Sequence, residues 1–188
     1  MQLRRLAAIT AVALAAATSL TACGSGGKEP TAGETEGIYV NTGDLKYQVQ
    51  ISRQLNAADF EDRDYLTGIP VADRTLKPGQ EWFAVFIRVF NTTKEAHPSA
   101  SQFEIRDTTG EVFKPIAINT NINRVAYRPA DVGAGDQIPV PGSLARENLT
   151  QGGLILFKVP NTAYDNRPLE LIIESPSGDG EATVDLDV

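Results

Sequence analysis

The stretch Glu81-Trp82-Phe83-Ala84-Val85-Phe86-Ile87-Arg88-Val89-Phe90 constrains the fold more than any other part of the chain. It is apolar on both phases of a two-residue period and dense in aromatic and β-branched side chains, which is how a central strand buried on both faces reads. Lys77-Pro78-Gly79-Gln80 supplies a turn before it and Asn91-Thr92-Thr93 closes it. Leu45-Lys46-Tyr47-Gln48-Val49-Gln50-Ile51-Ser52 alternates apolar and polar, the pattern of a strand with one buried and one wet face. No window sustains a 3.6-residue period to the same degree. Residues 103–107 and 112–114 flank Thr108-Thr109-Gly110 and form a hairpin signal. Further runs suited to strands are 124–127, 153–159, 169–174 and 182–188. Prolines 70, 78, 98, 115, 129, 139, 141, 160, 168 and 176 fall at or outside the ends of these runs, where a missing N–H breaks no ladder. Short strands punctuated this way predict one all-β domain, an antiparallel sandwich or barrel without internal repeats.

The first residues predict an address. Met1-Gln2-Leu3-Arg4-Arg5 is a cationic start, and 6–20 is an uncharged, Ala-rich run ending in Leu20-Thr21-Ala22-Cys23. That order is a secretory signal: positive n-region, apolar h-region, small residues at the cleavage site. The run has 15 residues, whereas a helix needs about 20 to cross a hydrocarbon core about 30 Å thick. Leu-Thr-Ala-Cys resembles the bacterial lipobox, in which a diacylglycerol alkylates the thiol before the peptidase cuts ahead of it. The resemblance implies cleavage between Ala22 and Cys23 and a lipid-bearing Cys23 as the new N-terminus. Two or three acyl chains on one cysteine make a durable anchor where one chain is marginal.

After Cys23, residues 24–37 contain no large apolar side chain and predict a flexible tether, with an r.m.s. reach of roughly 20 Å. The expected organisation is therefore a signal peptide over 1–22, a lipidated cysteine and linker over 23–37, and a sandwich over 38–188. Loss of 1–22 removes Arg4 and Arg5 and no acid, so the formal charge moves from −7 to −9. So acidic a domain is ill suited to nucleic acid or to anionic headgroups.

Four segments carry a family likeness: 78–91 (Pro-Gly-Gln-Glu-Trp-Phe-Ala-Val-Phe-Ile-Arg-Val-Phe-Asn), Phe103-Glu104-Ile105-Arg106-Asp107 through Gly110-Glu111-Val112-Phe113, Gly152 through Pro160, and Leu169-Glu170-Leu171-Ile172-Ile173. Together they resemble a family of uncharacterised extracytoplasmic lipoproteins of actinobacteria and other Gram-positive bacteria. Those domains are immunoglobulin-like sandwiches of unknown function, similar in fold to a secreted mycobacterial immunogenic antigen. The likeness spans 45–174 and rests on structural motifs: a turn, a strand ending in Asn, an Asp-x-x-Gly hairpin and a strand ending in Pro. It implies an immunoglobulin-like antiparallel β-sandwich and supplies no catalytic residue. The stretch 116–148 departs from the pattern and must hold extra strands or a large loop.

The chemistry the chain lacks narrows its function. Without Met1 and with Cys23 capped, the mature chain has no Met, no free thiol and only His97, whereas copper, zinc and haem sites draw on soft or imidazole ligands. His97 precedes Pro98 in a polar stretch and reads as an exposed loop residue. Neither a Gly-x-Ser-x-Gly elbow nor a phosphate-binding Gly-x-x-x-x-Gly-Lys loop occurs. Asp59, Glu61, Asp62 and Asp64 crowd four carboxylates into six positions and read first as a solvated acidic loop, second as oxygen ligands for Ca²⁺. Asn119, Asn121 and Asn123 share one face if 118–124 is a strand; they read first as an ordinary wet strand face or an Asn-rich turn, second as an amide stripe that could bind sugar or peptide. Trp82, Phe83, Phe86 and Phe90 read as core, with Trp82 as its central plug.

These features predict a non-enzymatic binding module of the cell envelope, held to the extracytoplasmic face of the cell membrane through Cys23. Its partner would be an envelope protein or a cell-wall component, and no cofactor is implied. The alternative is a ligand-carrier or solute-sensing domain with a pocket between the sheets or under the 116–148 insert.

Overall fold

Across residues 30–188, which the computed structural model describes, the strands follow one another as β1 (Ala32–Gly33), β2 (Tyr39–Thr42), β3 (Leu45–Leu55), β4 (Gln80–Phe90), β5 (His97–Pro98), β6 (Phe103–Arg106), β7 (Val112–Phe113), β8 (Asp131–Val132), β9 (Gln137–Ile138), β10 (Gly153–Pro160), β11 (Leu169–Glu174) and β12 (Glu181–Leu186). Two short helices interrupt them, α1 (Phe60–Tyr65) and α2 (Leu144–Glu147). One main sheet has the order β1-β12-β11-β6-β7 and the other β10-β4-β3-β2, and β5 and β8 form a separate two-stranded sheet. The short β9 continues the edge of β4 beyond the start of β10, pairing Ile138 with Val89. Every pairing is antiparallel except that of β1 with β12.

The two sheets close on each other as a sandwich. Tyr47, Val49, Phe83, Val85, Ile87, Phe157 and Val159 from one sheet meet Phe103, Ile105, Leu169, Leu171, Ile173 and Val184 from the other. Side chains from the two inner faces interdigitate as sandwich packing requires. As its two-phase apolar run demands, β4 is buried from Trp82 through Ile87. Its outer face carries a second apolar cluster, in which Trp82, Ala84, Phe86, Leu154 and Leu156 are covered by Tyr65, Ile69, Val125 and Ala145 from the connecting segments. Trp82 is thus core but not the plug between the sheets, and Lys158 Nζ sits 5.3 Å from its ring centre.

Three local features depart from the pattern read in the sequence. A bulge in β3 between Val49 and Ile51 shifts the register against β4. One extra residue reverses the phase of everything after it, so Ile51 turns outward, 38% exposed, while Ser52 turns in, 5% exposed. Unbroken alternation over 45–52 would have buried Ile51. Second, 124–127 is not a strand: it meets the start of β10 only through a bridge from Ala126 to Leu154. Third, Gly43 and Asp44 form a two-residue hairpin between β2 and β3 with φ of 57° and 62°, the left-handed pair that suits the twist of a tight hairpin.

Residues 30–37, expected as part of the tether, are built into the sandwich, while 23–29 lie outside the described residues. Ala32 and Gly33 pair with Thr183 and Val184, and the Pro30 carbonyl accepts from Asn41 N–H at 2.8 Å on the other sheet. The segment therefore straps one edge of the sandwich shut. Its acid, Glu36, accepts from Ser52 N–H at 3.0 Å, from the Ser52 hydroxyl, and from Asp187 N–H at 3.2 Å. The composition of 24–37 hides this because the strap works through backbone groups and one carboxylate. Glu36→Ala is expected to lower stability by about 2 kcal/mol in urea unfolding, since it strands donors at the bulge and at the end of β12. An unchanged midpoint would show that water replaces the carboxylate at no cost.

Candidate functional site

The outer face of the β10-β4-β3-β2 sheet is where the connections converge, and the bulge places a groove there of about 460 Å³. Gln50, Ile51 and Arg53 of β3 form one wall, and Tyr65, Leu149 and Gln151 are among the residues of the other. Leu149 is 93% exposed. Gln151 holds φ at +48°, an uncommon conformation for a side-chain-bearing residue. The chain is pinned just beyond it, because a Cβ on Gly152 would lie 2.9 Å from the backbone of Phe86 and Ile87. Thr150 Oγ1 borders the groove and is buried with no hydrogen-bond partner among the described residues.

Of the four carboxylates weighed as a Ca²⁺ candidate, Asp59, Glu61 and Asp62 line this groove and Asp64 does not. Asp59 caps α1, its Oδ1 accepting from Glu61 N–H at 2.8 Å. Asp62 points inward, 5% exposed, ion-paired with Arg53 and accepting from Asn56 N–H at 2.7 Å. Burial alone would raise the Asp62 carboxyl, but the Arg53 hydrogen bond, the Asn56 N–H and the Arg53 charge outweigh it and hold the group below its ordinary value. Glu61 and Asp64 are exposed. Among the described residues no three His, Cys, Asp or Glu side chains are grouped so as to hold a metal ion. The acidic loop is a capped helix turn whose central carboxylate belongs to an arginine.

Of the readings of the asparagines, the Asn-rich turn holds and the binding stripe does not. Residues 118–124 form turns, so the three amides share no face. Asn119 and Asn121 are exposed, with Asn119 Oδ1 accepting from Asn121 N–H at 3.0 Å. Asn123 is 1% exposed and holds the insert to the loop after α1. Its Nδ2 donates to the carbonyls of Tyr65 and Thr67, and its Oδ1 accepts from the N–H groups of Val125 and Ala126. His97 is half-buried rather than exposed: it lies in β5, with Nε2 2.9 Å from Thr93 Oγ1 and Nδ1 3.7 Å from Asp44. Ala22 and Cys23 lie outside the described residues.

Sequence reasoning missed a pair of buried tyrosines that clamp Ala100. Ala100 N–H donates to the Tyr47 hydroxyl at 2.8 Å and the Tyr127 hydroxyl donates to the Ala100 carbonyl at 2.9 Å. Burial pushes the Tyr47 hydroxyl up to about 12 against a smaller opposing effect of the Ala100 hydrogen bond, and raises Tyr127 as well. Alternation over 45–52 marks Tyr47 as inward-facing, but nothing in it announces a partner 53 residues away.

No known family model and no curated protein matches the chain. Among solved structures it is similar to the yjhA protein from Bacillus subtilis, with a TM-score of 0.55, 12% identity, and coverage of 82% of this chain and 99% of that one. A functionally unknown protein from Listeria monocytogenes EGD-e is similar at a TM-score of 0.45 and 9% identity, over 81% of each chain. At these identities the first likeness concerns fold alone: this chain is an all-β sandwich of two packed, mainly antiparallel sheets, similar in fold to the Bacillus protein.

Proposed function

We propose that the chain is a lipid-anchored, non-enzymatic interaction module of the cell envelope, an immunoglobulin-like sandwich on the extracytoplasmic face of the membrane. The observation that carries this reading is the leader with its Leu20-Thr21-Ala22-Cys23 ending, placed seven positions ahead of Pro30, whose carbonyl is bound to β2 of the sandwich. Seven residues span at most about 25 Å whatever their conformation, so a lipid on Cys23 keeps the strapped end of the domain beside the headgroups. Interaction rather than catalysis is favoured by the exposed, mixed polar and apolar groove at the bulge, where Asp59 is used in a helix cap and Asp62 in an internal ion pair, leaving Glu61 alone. The partner class is an envelope protein or a cell-wall component.

Cys23→Ser tests the anchor. In the native host it is expected to abolish incorporation of labelled fatty acid into the protein and to leave residues 1–22 uncleaved, the retained apolar leader still holding the precursor at the membrane. A variant that takes up labelled fatty acid, or loses its leader, as the parent does would overturn the reading.

The carrier alternative is favoured by one observation, an open groove of about 320 Å³ under the insert, lined by Ile116, Ile118, Ala126, Tyr127 and Leu156 among others. That volume is at the lower end of the range of small-molecule sites. Native mass spectrometry of protein purified from its host decides it: a co-purifying small molecule supports a carrier, and a bare chain removes that reading.

A further inference from the structure

The edge of β10 that faces away from β4 is covered by the insert but left open at one backbone group. Register with β4 is unbroken, Leu154 facing Phe86 and Leu156 facing Ala84, so alternation turns the N–H and C=O groups of both leucines the same way. Leu154 N–H donates to the Val125 carbonyl at 2.9 Å, and the Leu154 carbonyl accepts from Tyr127 N–H at 2.8 Å. The Leu156 carbonyl accepts from Ile116 N–H at 2.7 Å. Leu156 N–H points to this same edge, between Tyr127 and Ile116, and has no partner among the described residues. Leu156 is buried, and a buried N–H without a partner costs free energy comparable to a lost hydrogen bond.

The gap coincides with the groove of about 320 Å³ under the insert, which Leu156, Tyr127 and Ile116 all line. No charged side chain lines that groove, although charged residues make up 22% of the chain. Its polar side chains are Ser101, Thr120 and Tyr127, and the Tyr127 hydroxyl is committed to the Ala100 carbonyl. The Phe103 and Tyr127 rings meet edge-on at 5.2 Å and form one wall. A carboxylate or ammonium taken in here would lose its water without gaining a counter-charge.

We propose that this groove binds a neutral apolar small molecule through a carbonyl, an ester, amide or ketone oxygen that accepts from Leu156 N–H while the hydrocarbon part lies against Phe103, Ile116 and Tyr127. Such a ligand satisfies the one open donor of the edge and buries apolar surface against apolar walls. Free fatty acids and amines are excluded by the missing counter-charge, and a sugar would turn its hydroxyls onto walls that cannot bond them. The proposal rests on the carrier reading and is independent of the anchor at Cys23.

Ile155-Leu156 is the only Ile-Leu pair in the chain, so isoleucine labelled at the carbonyl carbon together with leucine labelled at nitrogen isolates the Leu156 amide by NMR. The full chain, held in lipid nanodiscs, is titrated with methyl hexanoate, hexanoate or hexylammonium. Methyl hexanoate is expected to move the Leu156 amide proton downfield and to saturate, as a newly gained acceptor does, while hexanoate and hexylammonium leave it in place. Ala117 is an exposed lining residue, and Ala117→Trp is expected to fill the groove and raise the ester concentration at half-shift about tenfold. Thr120→Trp is a second obstruction at the half-buried side of the lining, and thermal unfolding of both variants checks their fold. Glu104→Gln on β6 should titrate as the parent does. A Leu156 amide that stays unmoved by the ester, an equal shift with hexanoate or hexylammonium, or a titration indifferent to both tryptophan changes would overturn the proposal. The carrier reading is tested apart from it: a molecule that co-purifies with the chain while the Leu156 amide stays unmoved keeps the carrier and removes this site.

Discussion

Asn123→Ala is expected to destabilise the domain by about 4 kcal/mol, because each buried polar group left without a partner costs about 1–3 kcal/mol. At 1% exposure the side chain is beyond the reach of water. It satisfies two carbonyls, Tyr65 at 2.9 Å and Thr67 at 3.1 Å, and two N–H groups, Val125 at 3.0 Å and Ala126 at 3.1 Å. Alanine abandons all four and leaves a void where the insert meets the loop after α1. The thermal midpoint should fall by roughly 10 °C for a domain of this size. Asn119→Ala and Asn121→Ala, both at exposed turn positions, should change stability by less than about 0.5 kcal/mol. A loss below about 1 kcal/mol at position 123 would mean that the insert rearranges to recruit other partners, and the bracing role would be wrong.

Alkaline solution is expected to unfold the domain in a way that depends on Tyr47. Its folded-state pKa is raised to about 12 from 10.0, chiefly by burial. The unfolded chain therefore loses this proton at lower pH than the folded one does. The contribution is fully present below about pH 10 and is lost progressively as pH rises from 10 toward 12. Two pKa steps correspond to about 3 kcal/mol at the top of that window. Tyr127 is shifted in the same direction and adds to the fall. Urea unfolding at several pH values between 8 and 12 measures it. Tyr47→Phe should cost about 1 kcal/mol at pH 8, where the Ala100 N–H loses its acceptor, yet show a shallower decline above pH 10 than the parent. Parallel pH profiles for the two proteins would mean that the Tyr47 hydroxyl reaches solvent in the folded state.

How far the fold could be read from the chain depended on the kind of force involved. Strands set by apolar patterning were legible: β4, β10 and β11 lie within a residue of the runs 81–90, 153–159 and 169–174. The Asp107 hairpin was legible too, because a carboxylate accepting from Thr109 and Glu111 N–H groups is a local device with a local signature. Features that depend on a distant partner were not. Ser52 faces inward because the bulge reverses the phase of β3, and Glu36 meets it there, while the buried Asn123 serves two carbonyls 56 and 58 residues earlier. The strap at 30–37 was hidden for the same reason: its small and charged residues bury little by themselves and bind through backbone groups of β12 and β2. Over Asp59 to Asp64 the first reading, a solvated acidic loop, holds for Asp59, Glu61 and Asp64 but not for Asp62, which turns inward. Four acids in six positions say nothing about which of them an arginine on β3 will claim.

The account turns on an acylated sulfur holding this sandwich outside the cell. The most direct measurement is the intact mass of the protein extracted from membranes of its native host, followed by sequencing of its N-terminal peptide. The account predicts a chain that starts at Cys23, lacks residues 1–22 and carries diacylglycerol on the thiol. A chain that keeps its leader, or an unmodified thiol at position 23, would contradict it.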